Sequence, residues 1–380
     1  MKKILFASWG DPLDPATWSG TTYRTFKALE SVFPSVEPFG PLDPGRPFLL
    51  RVRGALQRRL TGRSLLIEHT DWAVMASMRK LQAKLESADY DAVFSSTMPL
   101  AYLPPGVPAF GLLDSNFACM LDYYPHYSNL TAATIRETDE LERRGTHRCR
   151  RIFYASEWAR RSAIDHYGAR EDQAICIPLG ANMDQLPGRE EVEQHVHARD
   201  GEHMHLLFLA VEWGRKGGDI AVEMARAANE MGTPTTLHVV GCPVPEQHRA
   251  APFIDEVGFL DKRKKDDLAR LRELLALCHF LAFPSRADCY GVVVCEASAY
   301  GMPSLGTDTG GIPSAIREGI NGRLFPLAAA GNVYAAEAVA LFRNRPRYEE
   351  LALTSRGLFE SDLNWDVAAQ RLHYWMTKAP

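Results

Sequence analysis

At 380 residues the chain exceeds one ordinary core, so two domains of about 180 residues are expected. Its 46% apolar and 24% charged residues are those of a soluble globular protein, and a net charge of −4 argues against general nucleic-acid binding. No apolar run is long enough to cross a bilayer, and seven scattered cysteines without a C-x-x-C pair read as reduced thiols in a metal-free, cytoplasmic protein.

Residues 1–9 begin like a secretion signal, but the apolar part is short and no small-residue cleavage site follows. Residues 4–8 are therefore expected to be the first buried strand. In the loop 9–21, Gly20 precedes a helix expected over 22–32. Its N–H meets a phosphate there or simply closes a tight turn. No G-x-G-x-x-G is present, so the nicotinamide and flavin fingerprint is absent.

Arg46, Arg51, Arg53, Arg58, Arg59 and Arg63 then form a basic segment with no acid between Asp43 and Glu68. Leu49, Val52, Leu56 and Leu60 recur in it at helical spacing. Such a stretch lies on an anionic membrane surface, grips a phosphorylated lipid acceptor, or buries its apolar face and leaves the arginines solvated.

Further strands are expected at 92–95, 109–113 and 151–155, and helices at 70–87, 130–148 and 156–167, with Ser156 as an N-cap. Residues 188–203 are charged, His-rich and poor in large apolar side chains, which marks them as the interdomain connection. His195, His197, His203 and His205 lack a firm acid or Cys partner to complete a ligand set, so a solvated linker is expected there rather than a metal site. Strands at 205–209, 236–240, 253–257, 280–283 and 304–306 alternate with helices at 220–230 and 264–277. Alternation throughout predicts parallel sheets with helices on both faces.

Two constellations carry chemistry. Leu206 to Asp219 runs from a buried strand into a turn that displays Arg215 and Lys216, and Gly217 and Gly218 then permit close backbone approach. A fork and a point charge suit phosphate oxygens, though a basic surface turn has the same composition. The second constellation spans 284–301. Pro284 closes the 280–283 strand, Asp288 lies on the loop beyond it, and Glu296 rides a helix that starts near Val292 and stops at Gly301. In open α/β sheets that loop is where ligands bind. Each carboxylate presents two acceptor oxygens to a vicinal diol, one for a ribose and one for a hexose. The amides of Tyr290, Gly291 and Val292 stand at the helix start, where a diphosphate fits. The alternative is a capping Asp288 and a solvated Glu296. Residues 307–313 form another strand-to-helix turn, a pocket wall or a plain connection, with Pro313 at the first helical position.

With these residues in view, the chain resembles the retaining, two-domain GT-B glycosyltransferases of family 4. The 284–301 block is similar to that family's E-x7-E signature, with Asp288 at the first acidic position. Gly301-Met302-Pro303 and Thr309-Gly310-Gly311-Ile312-Pro313 match as well. The Arg215-Lys216-Gly217-Gly218-Asp219 turn looks like the family's diphosphate clamp. The resemblance is specific over roughly 205–330 and looser elsewhere.

It implies an α/β GT-B fold of two Rossmann-like domains whose parallel sheets face across an interdomain cleft. An acceptor-binding domain would span 1–185, with a C-terminal helix at 362–380 packing back on it, and a donor-binding domain would span 186–361. The implied activity is transfer of a hexose, with retention, from a nucleoside-diphosphate sugar to a hydroxyl of a glycan or lipid-linked acceptor. UDP-hexose comes first as donor and GDP-mannose next. Carried over by position, Glu296 binds the ribose, Asp288 the sugar hydroxyls, and the amides of Tyr290, Gly291 and Val292 the sugar or phosphate. Arg215 and Lys216 hold the diphosphate, and the backbone near Phe259 meets the base. Leu113-Asp114 stands where many members carry a His, so Asp114 would orient an acceptor hydroxyl. No cofactor or metal is expected, because two cations face the leaving group and no D-x-D motif occurs in a suitable loop. The rivals are a nucleotide-sugar hydrolase or epimerase on the same scaffold and a non-catalytic nucleotide-sugar-binding protein. Location is expected to be cytoplasmic, with the Arg46–Arg63 segment as a peripheral contact to the inner face of a membrane.

Overall fold

The computed structural model describes residues 1–43, 45, 47–96 and 100–379, and Arg46 of the basic segment lies outside them. The chain divides into two compact units. The first is Met1–Pro178 with the stretch from Trp365 on, and the second is Leu179–Asn364. Each unit holds one six-stranded parallel sheet, and most of its strands are linked through helices.

In the first unit β1 (Lys3–Ser8), β2 (Ser35–Phe39), β3 (Ala92–Ser96), β4 (Ala109–Leu113), β5 (Arg151–Tyr154) and β6 (Ala174–Cys176) lie in the order β2-β1-β3-β4-β5-β6. The near-continuous apolar runs of the inner strands fit a sheet covered on both faces. Register places Phe6 beside Phe94 and Phe94 beside Phe110. Their rings stack with Phe153, at centroid separations of 5.8 Å for Phe6–Phe94, 6.3 Å for Phe94–Phe153 and 6.5 Å for Phe110–Phe153. The helix Trp365–Thr377 returns to this unit and packs on the helix Thr21–Val32. Buried Arg151 donates to Trp375 O, to Lys378 O at 2.9 Å and to Ala379 O at 3.1 Å, a cation set against a helix C-terminus.

In the second unit β7 (Met204–Leu209), β8 (Thr235–Val240), β9 (Ile254–Gly258), β10 (Phe280–Phe283), β11 (Ser304–Thr307) and β12 (Gly322–Phe325) lie in the order β12-β11-β10-β7-β8-β9. The chain winds outward from β7 to β9 and then crosses to β10 on the other side of β7. The sheet therefore reverses direction between β7 and β10, and the carboxyl ends of these two strands flank the crevice where such sheets bind ligands.

The segment 188–203, expected as a solvated connection, instead belongs to the core of the second unit. It forms the helix Arg189–Ala198, whose Val192 and Val196 are fully buried, and Arg199 just beyond it is buried too. Two valines at i and i+4 are enough to seat one face of a short helix, and their signal is diluted by the charges around them.

Its histidines do not assemble a metal site. His197 pairs with Glu349 at 3.3 Å, and His203 bonds Thr236 at 2.8 Å. No cluster of His, Cys, Asp and Glu with metal-holding geometry occurs among the described residues. His205 Nδ1 near the start of β7 and His238 Nε2 within β8 are 3.0 Å apart, and His279, just before β10, reaches Asp200 O at 2.8 Å. Burial pushes His279 down to about 3 and His205 down to about 4, and His69 in the first unit also down to about 4.

These rings stay neutral when folded but take a proton near pH 6.5 once unfolded, so stability is lost as pH falls below 6.5. Glu142 acts in the opposite sense, because burial pushes its carboxyl up to about 7 and the folded state then holds a proton the unfolded one has lost. Between pH 6.5 and 5 we expect stability to fall by up to about 1.4 kcal/mol per pH unit for each unopposed histidine, and Glu142→Gln to steepen the fall. Urea unfolding across this range checks it, and flat stability in both proteins would contradict it.

Candidate functional site

After β7 the chain makes one short helical turn, Trp213–Lys216, and then Gly217 turns left-handed at φ +74° to start the helix Gly218–Glu230. A Cβ on Gly217 would sit 2.0 Å from Pro284 O, so the turn closes on the loop after β10 only because that side chain is absent. Arg286 N donates to Arg215 O at 2.8 Å, and Arg286 Nη1 to Gly214 O at 2.7 Å. Arg215 Nη1 donates to Ala287 O at 2.9 Å, and its Nε to Glu212 at 2.7 Å. Arg286 also forks onto Asp219 at 2.9 and 2.6 Å, and this contact holds the carboxyl below its usual range. We expect Gly217→Ala to cost at least about 2 kcal/mol of stability, from left-handed strain plus the clash, and to lower activity with it. A urea midpoint like that of the parent protein would show that the two loops are not locked together.

This stitching sets Lys216 Nζ in an ion pair with Asp288 Oδ2, both side chains mostly buried, with the ammonium 5.3 Å from the Phe283 ring centroid. Gly311 N donates to Asp288 O at 3.0 Å, so the loop after β11 closes against the same carboxylate residue. Tyr290 Oη donates to Leu179 O at 3.2 Å, pinning the loop from behind. Gly291 is left-handed at φ +98° and starts the helix Val292–Ala299, and the amides of Gly291 and Val292 have no backbone acceptor among the described residues.

Glu296, one turn into that helix, is 1% exposed, so it is not a solvated surface charge. Its Oε1 pairs with Lys262 Nζ, and its buried Oε2 has no hydrogen-bond partner. A buried carboxylate oxygen without a donor is costly unless a ligand supplies one. Lys262 was not foreseen from the sequence. It lies four residues beyond β9, and the only signal was the run Lys262-Arg263-Lys264 following Phe259. Phe259 itself is 67% exposed.

The second unit therefore gathers Arg215, Lys216, Asp288, Tyr290, Gly291, Val292 and Glu296 at the carboxyl ends of β7 and β10, with Lys262 added from the loop after β9. Of the other three candidates, Phe259 lies just past β9 in the same unit, and Gly20 and Asp114 belong to the first unit, in loops that follow its strands. Gly20, at φ +91°, ends a left-handed run that includes Trp18 at +49° and Ser19 at +53°, and it opens the helix Thr21–Val32. Non-glycine residues held left-handed store strain that persists only where the surroundings impose it. Half-buried Asp114 follows β4 and accepts from Ser115 Oγ at 3.0 Å.

Residues 204–344 match the family Glycosyl transferases group 1. A D-inositol 3-phosphate glycosyltransferase of Corynebacterium aurimucosum is 27% identical over 180 residues, 43% of this chain and 42% of that protein. The chain thus spans about two fifths of the length of the curated relatives it matches. Among solved structures it is similar to WaaG, a glycosyltransferase involved in lipopolysaccharide biosynthesis, at TM-score 0.64 and 15% identity over all of both chains. It is also similar to Anabaena HepE in complex with UDP and glucose, at TM-score 0.62 and 15% identity over 99% of this chain and 100% of that one. The fold is that of the GT-B glycosyltransferases.

Proposed function

We propose that the protein is a glycosyltransferase that moves a hexose, with retention, from a nucleoside diphosphate to a hydroxyl of a glycan or lipid-linked acceptor. The observation that supports it most is the buried Glu296, paired by Lys262 through one oxygen and left with an unpartnered Oε2, on the helix that directly follows the loop of Asp288 and its Lys216 pair. In this reading the ribose diol donates to Glu296, and the sugar hydroxyls to Asp288. The diphosphate lies against Arg215, Lys216 and the amides of Gly291 and Val292. UDP-hexose is the first donor and GDP-mannose the second. HepE was crystallised with UDP and glucose, which favours the first.

As the glycosidic bond breaks, negative charge grows on the leaving phosphate oxygens. Cations and helix-start amides already aimed there stabilise that charge without reorganising, at about 2.7–4 kcal/mol for each such donor. The departing oxygen takes the acceptor proton, and Asp114 in the first unit orients the acceptor hydroxyl. The positive charge that this step needs is supplied by Arg215 and Lys216, so the reading includes no metal. It also includes a reducing, cytoplasmic setting, which suits seven free cysteines.

Thermal unfolding with UDP, GDP and ADP and their hexose esters tests the donor. A nucleotide at a hundred times its Kd adds about 2.7 kcal/mol of apparent stability. The expected result is a rise with UDP and its hexose esters, followed by sugar transfer to an added acceptor. If no nucleoside diphosphate stabilises the protein, the reading fails. Consumption of the donor without any acceptor would instead indicate a hydrolase.

A further inference from the structure

The helix Phe48–Thr61 wears its apolar stripe on the outside. Phe48, Val52, Leu56 and Leu60 recur every fourth residue and are 74%, 47%, 56% and 74% exposed. The face turned inward is the opposite one, where Leu50, Gly54 and Gln57 are half-buried and Gly54 meets Leu65. This overturns the alternative of a helix buried on its apolar side. It also shifts the outer stripe to begin at Phe48.

At 100° per residue, Arg51 and Arg58 flank the stripe on one side, Arg53 borders the other, and Arg59 falls within it. All four are exposed. None is in an ion pair among the described residues, and no acid occurs between Asp43 and Glu68.

We propose that this helix docks the first unit onto an anionic phospholipid surface, lying in the plane of the interface. The four apolar side chains enter the acyl boundary while the arginines on both flanks meet lipid phosphates. Charge complementarity selects this occupant. A second copy of the chain, seated stripe to stripe, would bring arginines against arginines with no acid in the segment to offset them. The stripe has no counterpart on a purely ionic partner such as nucleic acid. At 14 residues the helix is about 21 Å long, too short to span a bilayer and long enough to lie along one.

Flotation of the full chain with vesicles tests the proposal. Vesicles of phosphatidylcholine carrying phosphatidylglycerol should retain the protein, and vesicles of phosphatidylcholine alone should bind it roughly tenfold or more weakly. The double variants Leu56→Asp with Leu60→Asp, and Arg58→Ser with Arg59→Ser, should each cut binding roughly tenfold or more while their thermal unfolding stays that of the parent protein. The side chains are outside the donor site, and binding is read without turnover, so the outcome is independent of the sugar-transfer reading. Equal binding to neutral vesicles, binding to neither, or variants that float like the parent protein would each overturn it. So would a dimer in solution that Leu56→Asp dissociates while vesicle binding persists.

Discussion

Lys216→Ala lowers turnover about a hundredfold or more while the protein stays folded. The size follows from what the ammonium faces. In the resting state it is paired with Asp288, with both side chains largely withdrawn from water. An incoming diphosphate offers that ammonium a second set of anionic oxygens, whose charge increases as the sugar departs. Interactions that strengthen in the transition state act on turnover more than on substrate binding. The two loops stay joined without this contact, because Arg215 and Arg286 stitch them through three bonds of their own. Steady-state kinetics with a labelled donor, beside a melt of the same preparation, measure both halves. Near-normal turnover, or a collapse of the melt, would remove Lys216 from the clamp.

Arg199→Ala is expected to destabilise the second unit by about 3–5 kcal/mol, a larger structural effect than any change at the site itself. Arg199 is buried, with no carboxylate partner among the described residues. Its guanidinium instead donates to Leu275 O at 3.4 Å and Ala276 O at 3.0 Å, at the end of the helix Lys265–Leu277. It also donates to Tyr300 O and Gly301 O, both at 2.8 Å, just past the helix Val292–Ala299, and to Tyr348 Oη at 2.7 Å. Two helix C-termini thus converge on one cation, and their orphan carbonyls and negative dipole ends compensate its charge. Alanine would strand those carbonyls in the interior. One of the two helices carries Glu296, so donor affinity should fall alongside stability. Urea unfolding gives the first quantity and nucleotide titration the second. A loss below about 1 kcal/mol would mean that water replaces the guanidinium.

Much of the architecture was legible because inner parallel strands are buried on both faces and read as apolar runs. The Phe6, Phe94, Phe110 and Phe153 stack and the runs at β7, β8 and β10 carry that signature. The strands that escaped notice, β2, β6 and β12, are all sheet edges. Edge strands are short and half-covered, and Pro38 in β2 is tolerated only in such a place. The 284–301 block was equally readable, because proline, glycine and two acids at fixed spacing dictate strand, loop and helix locally.

Local patterning sets the alternation of strands and helices, the loops that bear Lys216 and Asp288, the helix of Glu296, and the crowding of arginine into one short stretch. Long-range packing alone brings Lys262 over Glu296, makes Arg199 tie two helix ends, and turns the stripe from Phe48 to Leu60 outward. Local propensity is set by neighbours a few residues away, and the sequence shows those directly. Which side of a helix is covered, and which charge meets which, depends on segments tens to a hundred residues distant, and no periodicity records where they come to rest.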